Sequence, residues 1–294
     1  MNEAGTTVIA VASGKGGTGK TTVAAHLAIA GARTMPTVLV DLDVEAPDAT
    51  GYFKDARPSG AAEEVSVLVP RLLEARCTGC GLCARTCRFG AILAIGGVMT
   101  IDQKACKGCG ACVAACPTAA LEETPMTVGA TSISDAGGLS LLEGRMVVGD
   151  IRSTVVIEAT KKRAAASYAS LSVRDCPPGV SCPATHAIEG ADYIVLVAEP
   201  TEFSIHDLKA AIGLANGRGI PAGVVINKDG FGDADIAGFC EREGIPVIGR
   251  IAFKRERAAS GAAASLWRGD PAITEEIDTI LARALAGARR GTLR

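Results

Sequence analysis

The chain has 294 residues, 48% of them hydrophobic, with a formal net charge of −2. That length accommodates one or two domains with a sizeable core. The near-neutral charge excludes a general electrostatic pull toward nucleic acid or anionic membrane, and no run approaches the roughly 18 apolar residues of a membrane span.

In chain order, the apolar, β-branched run Val8, Ile9, Val11 predicts a strand, and the stretch after Thr21 predicts a helix to about Ala32. Between them, Gly14-Lys15-Gly16-Gly17-Thr18-Gly19-Lys20-Thr21 fits G-x-x-x-x-G-K-[ST], with Thr22 following. The glycines let backbone N–H groups turn onto phosphate oxygens, and the helix N-terminus adds partial positive charge. Lys20 is expected at the β/γ-phosphates and the Thr21 hydroxyl on Mg²⁺. Strand and loop occupy the first dozen or so residues, which leaves no room for a leader, so a cytoplasmic protein is expected. Next, Thr37-Val38-Leu39-Val40-Asp41-Leu42-Asp43 reads as a buried parallel strand ending in the ligand crevice. Asp41 and Asp43, two residues apart, are expected to point the same way, toward Mg²⁺ or the attacking water.

From about Ser66 the character changes. Eight of the 11 cysteines lie in Cys77-x-x-Cys80-x-x-Cys83-x-x-x-Cys87 and its repeat 29 residues later, Cys106-x-x-Cys109-x-x-Cys112-x-x-x-Cys116. In a nucleotide-binding chain such a density points to metal or redox chemistry rather than disulfides. The spacing is the bacterial ferredoxin run, in which the fourth cysteine ligates the other cluster. One [4Fe–4S] cluster would take Cys77, Cys80, Cys83 and Cys116, and the other Cys87, Cys106, Cys109 and Cys112. Zinc is the alternative ligand, although zinc sites usually pair shorter units. Arg88 stands where the second copy has Pro117, which removes no ligand.

Residues 124–149 are Gly/Ser-rich with little periodicity and are expected to return the chain to the main sheet. A helix (about 156–168) precedes a strand ending in Asp175, followed by Cys176-Pro177-Pro178-Gly179. Asp175 suits a second Mg²⁺-organising carboxylate, and the Gly179 amide is expected at the γ-phosphate. Strands at 194–198, 223–226 and 246–251 then alternate with helices at about 205–216, 233–243 and 273–285. In the last helix, Ile273, Ile277, Ile280, Leu281 and Leu285 form one apolar face, expected in the core. The architecture expected is α/β: a doubly wound, mostly parallel sheet of P-loop type with an inserted small α+β ferredoxin-like unit. Its limits are 1–65 and 125–294 for the nucleotide domain and 66–124 for the insert.

With these residues in place, the chain resembles the MinD/ParA/Mrp group of P-loop ATPases, and more narrowly the subgroup carrying an inserted ferredoxin domain. The carriers are GKGGTGKTT, DLDVEAPD, the eight-cysteine insertion, DCPPGVSCP and the strand ending INK. The resemblance implies that Lys15 reaches the nucleotide of the opposite subunit, and hence a homodimer formed on ATP binding. It further implies that Asp43 orients the hydrolytic water, that Thr21, Asp43 and Asp175 serve Mg²⁺, and that Asn227 reads the adenine edge. Lys15, Lys20 and Asp43 are the catalytic candidates. Cys182, seven residues after Asp175, matches a cluster ligand of the similar nitrogenase iron protein, whose second ligand has no counterpart here.

The function this implies is ATP hydrolysis coupling a dimer switch to electron transfer, through two [4Fe–4S] clusters, to a redox partner. The alternatives are an iron–sulfur carrier of the Mrp type and a ParA- or MinD-like positioning ATPase. Neither nucleic acid nor membrane insertion is expected. Cys176 and Cys240 are read as core thiols, His26, His186 and His206 as satisfied side chains, and Arg283, Arg289, Arg290 and Arg294 as a solvated helix end.

Overall fold

Seven short apolar runs, rich in Val and Ile and lacking alternation, form parallel strands because both of their faces are covered by helices. The computed structural model describes residues 5–262 and 270–291; Arg294 lies outside them. The elements are β1 (Thr7–Ala12), α1 (Lys20–Ala32), β2 (Thr37–Asp41), β3 (Arg57–Pro58), β4 (Glu63–Leu72), α2 (Leu82–Thr86), β5 (Ile92–Ile95), β6 (Val98–Ile101), α3 (Ala111–Ala114), β7 (Leu121–Asp135) and β8 (Leu139–Met146). They continue with α4 (Ser153–Ala165), β9 (Leu171–Asp175), α5 (Cys182–Ile188), β10 (Tyr193–Ala198), α6 (Glu202–Gly217), β11 (Ala222–Asp229), α7 (Ile236–Arg242), β12 (Val247–Ala252), α8 (Arg255–Ala262) and α9 (Pro271–Gly291).

The main sheet runs β12-β11-β10-β1-β9-β2-β8 in parallel, then β7 antiparallel to β8, with β3 and β4 both pairing to β7. Two-residue alternation sends Ile9, Val11, Leu39, Val173 and Val195 to one face, under α1 and α9. Ala10, Val38, Val40, Ile194 and Leu196 face the other side, under α4 to α7. The sheet is therefore doubly wound. Because β1 is flanked by β9 and β10, the crevice opens beyond the C-terminal end of β1. On α9, Ile273, Ile277, Ile280 and Leu281 are buried and Leu285 packs half-buried beside them, so the expected stripe is core.

Residues 124–149 are more regular than their composition announces. They complete β7 and build β8, the seventh parallel strand. Two of the buried positions of β7, Gly129 and Thr131, are small or polar, which weakens the apolar signal that Val128 alone carries there. The expected limits at 66 and 124 fall inside β4 and β7, a ten-pair antiparallel ribbon running from the main sheet to the cysteine-bearing segment. That segment holds α2, α3 and the separate β5–β6 hairpin. Among the described residues, no helix is long and apolar enough to cross a membrane.

Candidate functional site

The loop between β1 and α1 curls because Gly17 and Gly19 take the left-handed backbone, at φ 81° and 90°. Two side chains from β11 brace it from behind. Asn227 Nδ2 donates to the Thr18 carbonyl at 2.7 Å, and Lys228 Nζ donates to that of Gly17 at 2.8 Å. The Thr18 hydroxyl is buried with no hydrogen-bond partner. Gly14 packs against the backbone of Asp207, where no side chain fits. Lys20 opens α1 and is buried. Thr21 lines the cleft beside it, whereas the Thr22 hydroxyl is already bonded to Tyr52 Oη at 2.8 Å.

Lys15 does not hang free in the single chain. Its Nζ lies 2.5 Å from Glu199 Oε1, and Lys228 Nζ lies 2.9 Å from Oε2 of the same carboxylate. Burial works to raise Glu199, but the two lysines outweigh it and hold the carboxyl below its ordinary range.

Strands β2 and β9 place Asp41 opposite Asp175. Asp41 accepts the backbone N–H groups of Asp43, Asp48 and Ala49 at 2.9–3.0 Å, so it holds the loop after β2 in shape. Asp175 is 1% exposed; its oxygens lack a partner at full hydrogen-bond geometry, although the neighbouring Thr21 hydroxyl favours its charged form. Carboxylate oxygens of Asp41, Asp48 and Asp175 lie within 4.8 Å of one another. Burial pushes Asp175 up to about 7, with Lys20 pulling it back; burial and the charge of Asp175 raise Asp41. A buried, unpartnered carboxylate beside two others fits a divalent cation with oxygen ligands.

Two expectations are corrected here. Strand β2 ends at Asp41, so the alternation that was to align Asp41 with Asp43 stops there; Asp43 sits in the following turn and still lines the cleft. The Gly179 amide donates to the Ser13 carbonyl at 2.9 Å, closing the loop after β9 onto the end of β1 rather than pointing at a phosphate. Asn227 lines the cleft, with its amide nitrogen committed to the phosphate loop.

The cleft has a volume of about 550 Å³. Sequence reading missed Asp48, Tyr52, Phe253, Lys254 and Arg257 on its walls. One signal was available for Phe253 and Lys254: residues following a parallel strand must fall on the same sheet edge as the phosphate loop.

In the cysteine segment the duplication extends to the backbone. Gly79 and Gly81 have φ 69°, and their counterparts Gly108 and Gly110 have φ 70° and 71°. Gly79 N–H donates to Cys77 Sγ at 3.5 Å and Gly108 N–H to Cys106 Sγ at 3.4 Å; Ala120 N–H reaches Cys116 Sγ at 3.2 Å. Cys77, Cys80, Cys83 and Cys116 line one cavity. Cys87 packs against both small apolar clusters, one containing Cys106 and the other Cys112, and Cys109 is exposed. Among the described residues no three of these sulfurs lie within 4.8 Å of one another. A tetrahedral zinc site, with Zn–S about 2.3 Å, holds its sulfurs about 3.8 Å apart. The amide-cradled sulfurs of the repeated run are a donor set that fits a multi-iron cluster.

Cys182 is exposed at the start of α5, away from the eight. Cys176 and Cys240 are buried, and burial pushes their thiols up to about 12 and about 11. His186 bonds Glu158 and His26 bonds the Thr22 carbonyl.

Residues 9–264 match the family described as the CobQ/CobB/MinD/ParA nucleotide binding domain. The chain is 32% identical over 225 residues (76% of this chain, 78% of the relative) to uncharacterized protein MJ0578 of Methanocaldococcus jannaschii, and 28% identical over 229 residues (78% and 82%) to that organism's uncharacterized protein MJ0579. Among solved structures it is similar to the septum site-determining protein MinD with Mg-ADP from Pyrococcus horikoshii, at TM-score 0.59 and 16% identity over 96% of this chain and 98% of that one. The ATP complex of a McdA variant from Cyanothece aligns at TM-score 0.57 and 14% identity, over 97% and 98%. These two likenesses show the fold.

Proposed function

This chain belongs to the family of the CobQ/CobB/MinD/ParA nucleotide binding domain, and on that premise we propose that it is a Mg²⁺-dependent ATPase that couples an ATP-driven homodimer switch to electron transfer through two [4Fe–4S] clusters. The phosphates would lie against the amides of residues 16–19, with Lys20 at the transferred group. Thr21, Asp43 and Asp175 would hold Mg²⁺, which would supply positive charge against that building on the phosphate oxygens. Asp43, raised by burial and pulled back by Lys20, orients the attacking water. Lys15 leaves Glu199 for the partner's nucleotide as the dimer closes.

The reading rests chiefly on one observation: Cys77, Cys80, Cys83 and Cys116, separated in sequence, line one cavity in the pairing that the ferredoxin run demands. The unit of residues 66–124 is then a two-cluster ferredoxin, and its clusters supply one-electron transfer to a redox protein partner. The test is anaerobic reconstitution followed by iron analysis and reduction of an electron acceptor with and without ATP. About eight irons per chain, four for each cluster, with ATP-dependent reduction is the expected result. Absent iron, or reduction indifferent to ATP, overturns the reading.

Two further readings have separate tests. The names of the solved neighbours, which speak of septum placement and plasmid partition, favour a positioning ATPase. The apolar face of α9 is buried against the sheet, which leaves that helix no membrane-binding face. ATP-dependent co-sedimentation with vesicles or DNA would favour positioning over electron transfer. Transfer of iron and sulfide to an apo-acceptor would favour the carrier reading. Cys182 is the candidate for a further, dimer-bridging cluster, and an iron count unchanged in Cys182→Ala would remove it.

A further inference from the structure

The cysteine segment meets the nucleotide-binding body at a buried charge. Arg152 stands immediately before α4, and its side chain is 2% exposed, against 3% for its partner Asp150. Nε and Nη2 fork onto the Asp150 carboxylate at 2.8 and 2.5 Å. Asp150 Oδ1 also accepts the N–H groups of Ile151 and Arg152, at 2.8 and 3.0 Å, so its own loop fixes it. The remaining arm of the fork points into the cysteine segment: Nη1 donates to the Cys106 carbonyl at 3.2 Å and to that of Gln103 at 3.4 Å. Nη2 also faces Met126 Sδ at 3.6 Å. Cys106 is itself buried.

The first copy of the repeat lacks this arrangement. There an arginine reaches a different position of the run, Arg85 Nη1 to the Cys80 carbonyl at 3.1 Å, and does so from a side chain open to solvent. A cation in water is screened by solvent and salt, whereas one withdrawn from water is screened less and acts more strongly on a neighbouring redox centre. Asp150 neutralises the Arg152 pair as a unit, but the guanidinium end is the one turned toward Cys106. Adding an electron to a cluster adds negative charge, so a nearby positive end favours the reduced state.

We propose that Arg152 is a positioning residue that makes the two clusters unequal: it ties the Cys106 arm to the start of α4 and sets the cluster of Cys87, Cys106, Cys109 and Cys112 at the higher reduction potential. This rests on the reading that the segment holds two [4Fe–4S] clusters. One electron from a one-electron donor then resides mainly on the cluster beside the ATPase body, with no bond made and no proton moved. The cluster of Cys77, Cys80, Cys83 and Cys116, next to the β5–β6 hairpin, is the entry point.

The experiment is a reductive titration of the full chain, reconstituted anaerobically, with dithionite as donor and electron paramagnetic resonance as readout. Wild type should give two distinct midpoints. Arg152→Gln should lower the upper one by about a tenfold change in the electron's partition, 59 mV for a one-electron couple, and leave the lower one in place. Asp150→Asn, which strips the counter-charge, should move the same midpoint upward. A merely structural salt bridge would not give shifts of opposite sign. Iron near eight per chain with unmoved midpoints in both variants overturns the inference alone. Should Arg152→Gln lose its iron, Asp150→Asn decides, and an unmoved midpoint there overturns it. A wild type that takes up no iron overturns the two-cluster reading and this inference with it.

Discussion

The nucleotide cleft and the cysteine segment are built on opposite plans. The cleft stands on the edge of a sheet with large apolar clusters on both faces, and its glycine loop is braced by Asn227 and Lys228. The cysteine segment has helices of five and four residues and two small apolar clusters, in which the thiols of Cys106 and Cys112 are themselves core. The first region takes its shape from its strands; the second gathers its sulfurs with short helices and loops. The difference teaches that one chain can carry a site framed by a large core beside another that, on the function proposed above, would owe its stability to the group it binds.

Five experiments would sharpen or break this contrast. The largest effect belongs to Lys20→Ala. Removing a preorganised charge from the phosphates should cut ATP turnover about 10²–10³-fold, while the visible absorption of the iron-loaded segment stays as it was. Loss of both together would mean the regions are not independent. Iron removal by a chelator comes next: limited proteolysis should cut between Cys77 and Cys116, while ATP still protects the body from heat. Loss of ATP protection would break the comparison.

The third concerns His26, on α1 beneath the cleft, which burial lowers to about 4 from an ordinary 6.5. The unfolded chain takes up this proton first, so stability present above pH 6.5 is lost as pH falls toward 4, on the order of 3 kcal/mol by linkage. Urea midpoints between pH 7 and pH 4 measure the slope, and His26→Gln should flatten it. Fourth, Glu199→Gln releases Lys15 and Lys228 from their shared carboxylate. Sedimentation with ATP should then report dimerisation about tenfold tighter, the worth of one charge-assisted pair; weaker dimerisation would assign Glu199 to the site itself. The smallest effect belongs to Arg71→Ala. Its ion pair with Glu122 is a directly opposed, exposed pair on the β4–β7 ribbon, and thermal melting should register less than about 1 kcal/mol.

Much of the cleft was legible because its motif is local. Gly14 to Thr22 needs only neighbours in sequence to declare a strand, a curled loop and a helix start. Asp175 was legible at a strand's end for the same reason. Glu199, Tyr52, Asp48 and the residues after β12 were not, because strand order alone brings them to the loop, and strand order is set by long-range pairing. Asn227 was found at the right edge, but its bond to Thr18 depends on a separation of 209 residues. In the cysteine segment the spacing announced the repeat, and the matched glycine dihedrals carry it into the backbone. The unequal setting of the two copies was invisible, because Arg152 lies outside the repeat.

The ribbon that joins the regions has a geometric consequence. At about 3.3 Å per residue, the 15 residues of β7 reach about 50 Å as one strand, with a register shift opposite Val65 and Ser66 where the ribbon leaves the main sheet. Nothing in that span is a tether. The cysteine segment is mounted like a spoke on a hub, with a fixed bearing instead of a search volume. On the function proposed above, a redox partner that met the exposed Leu93, Ile95 and Val98 of its hairpin would arrive from one compass direction. In a symmetric pair of chains, the two spokes would hold the two approaches at a constant angle to each other.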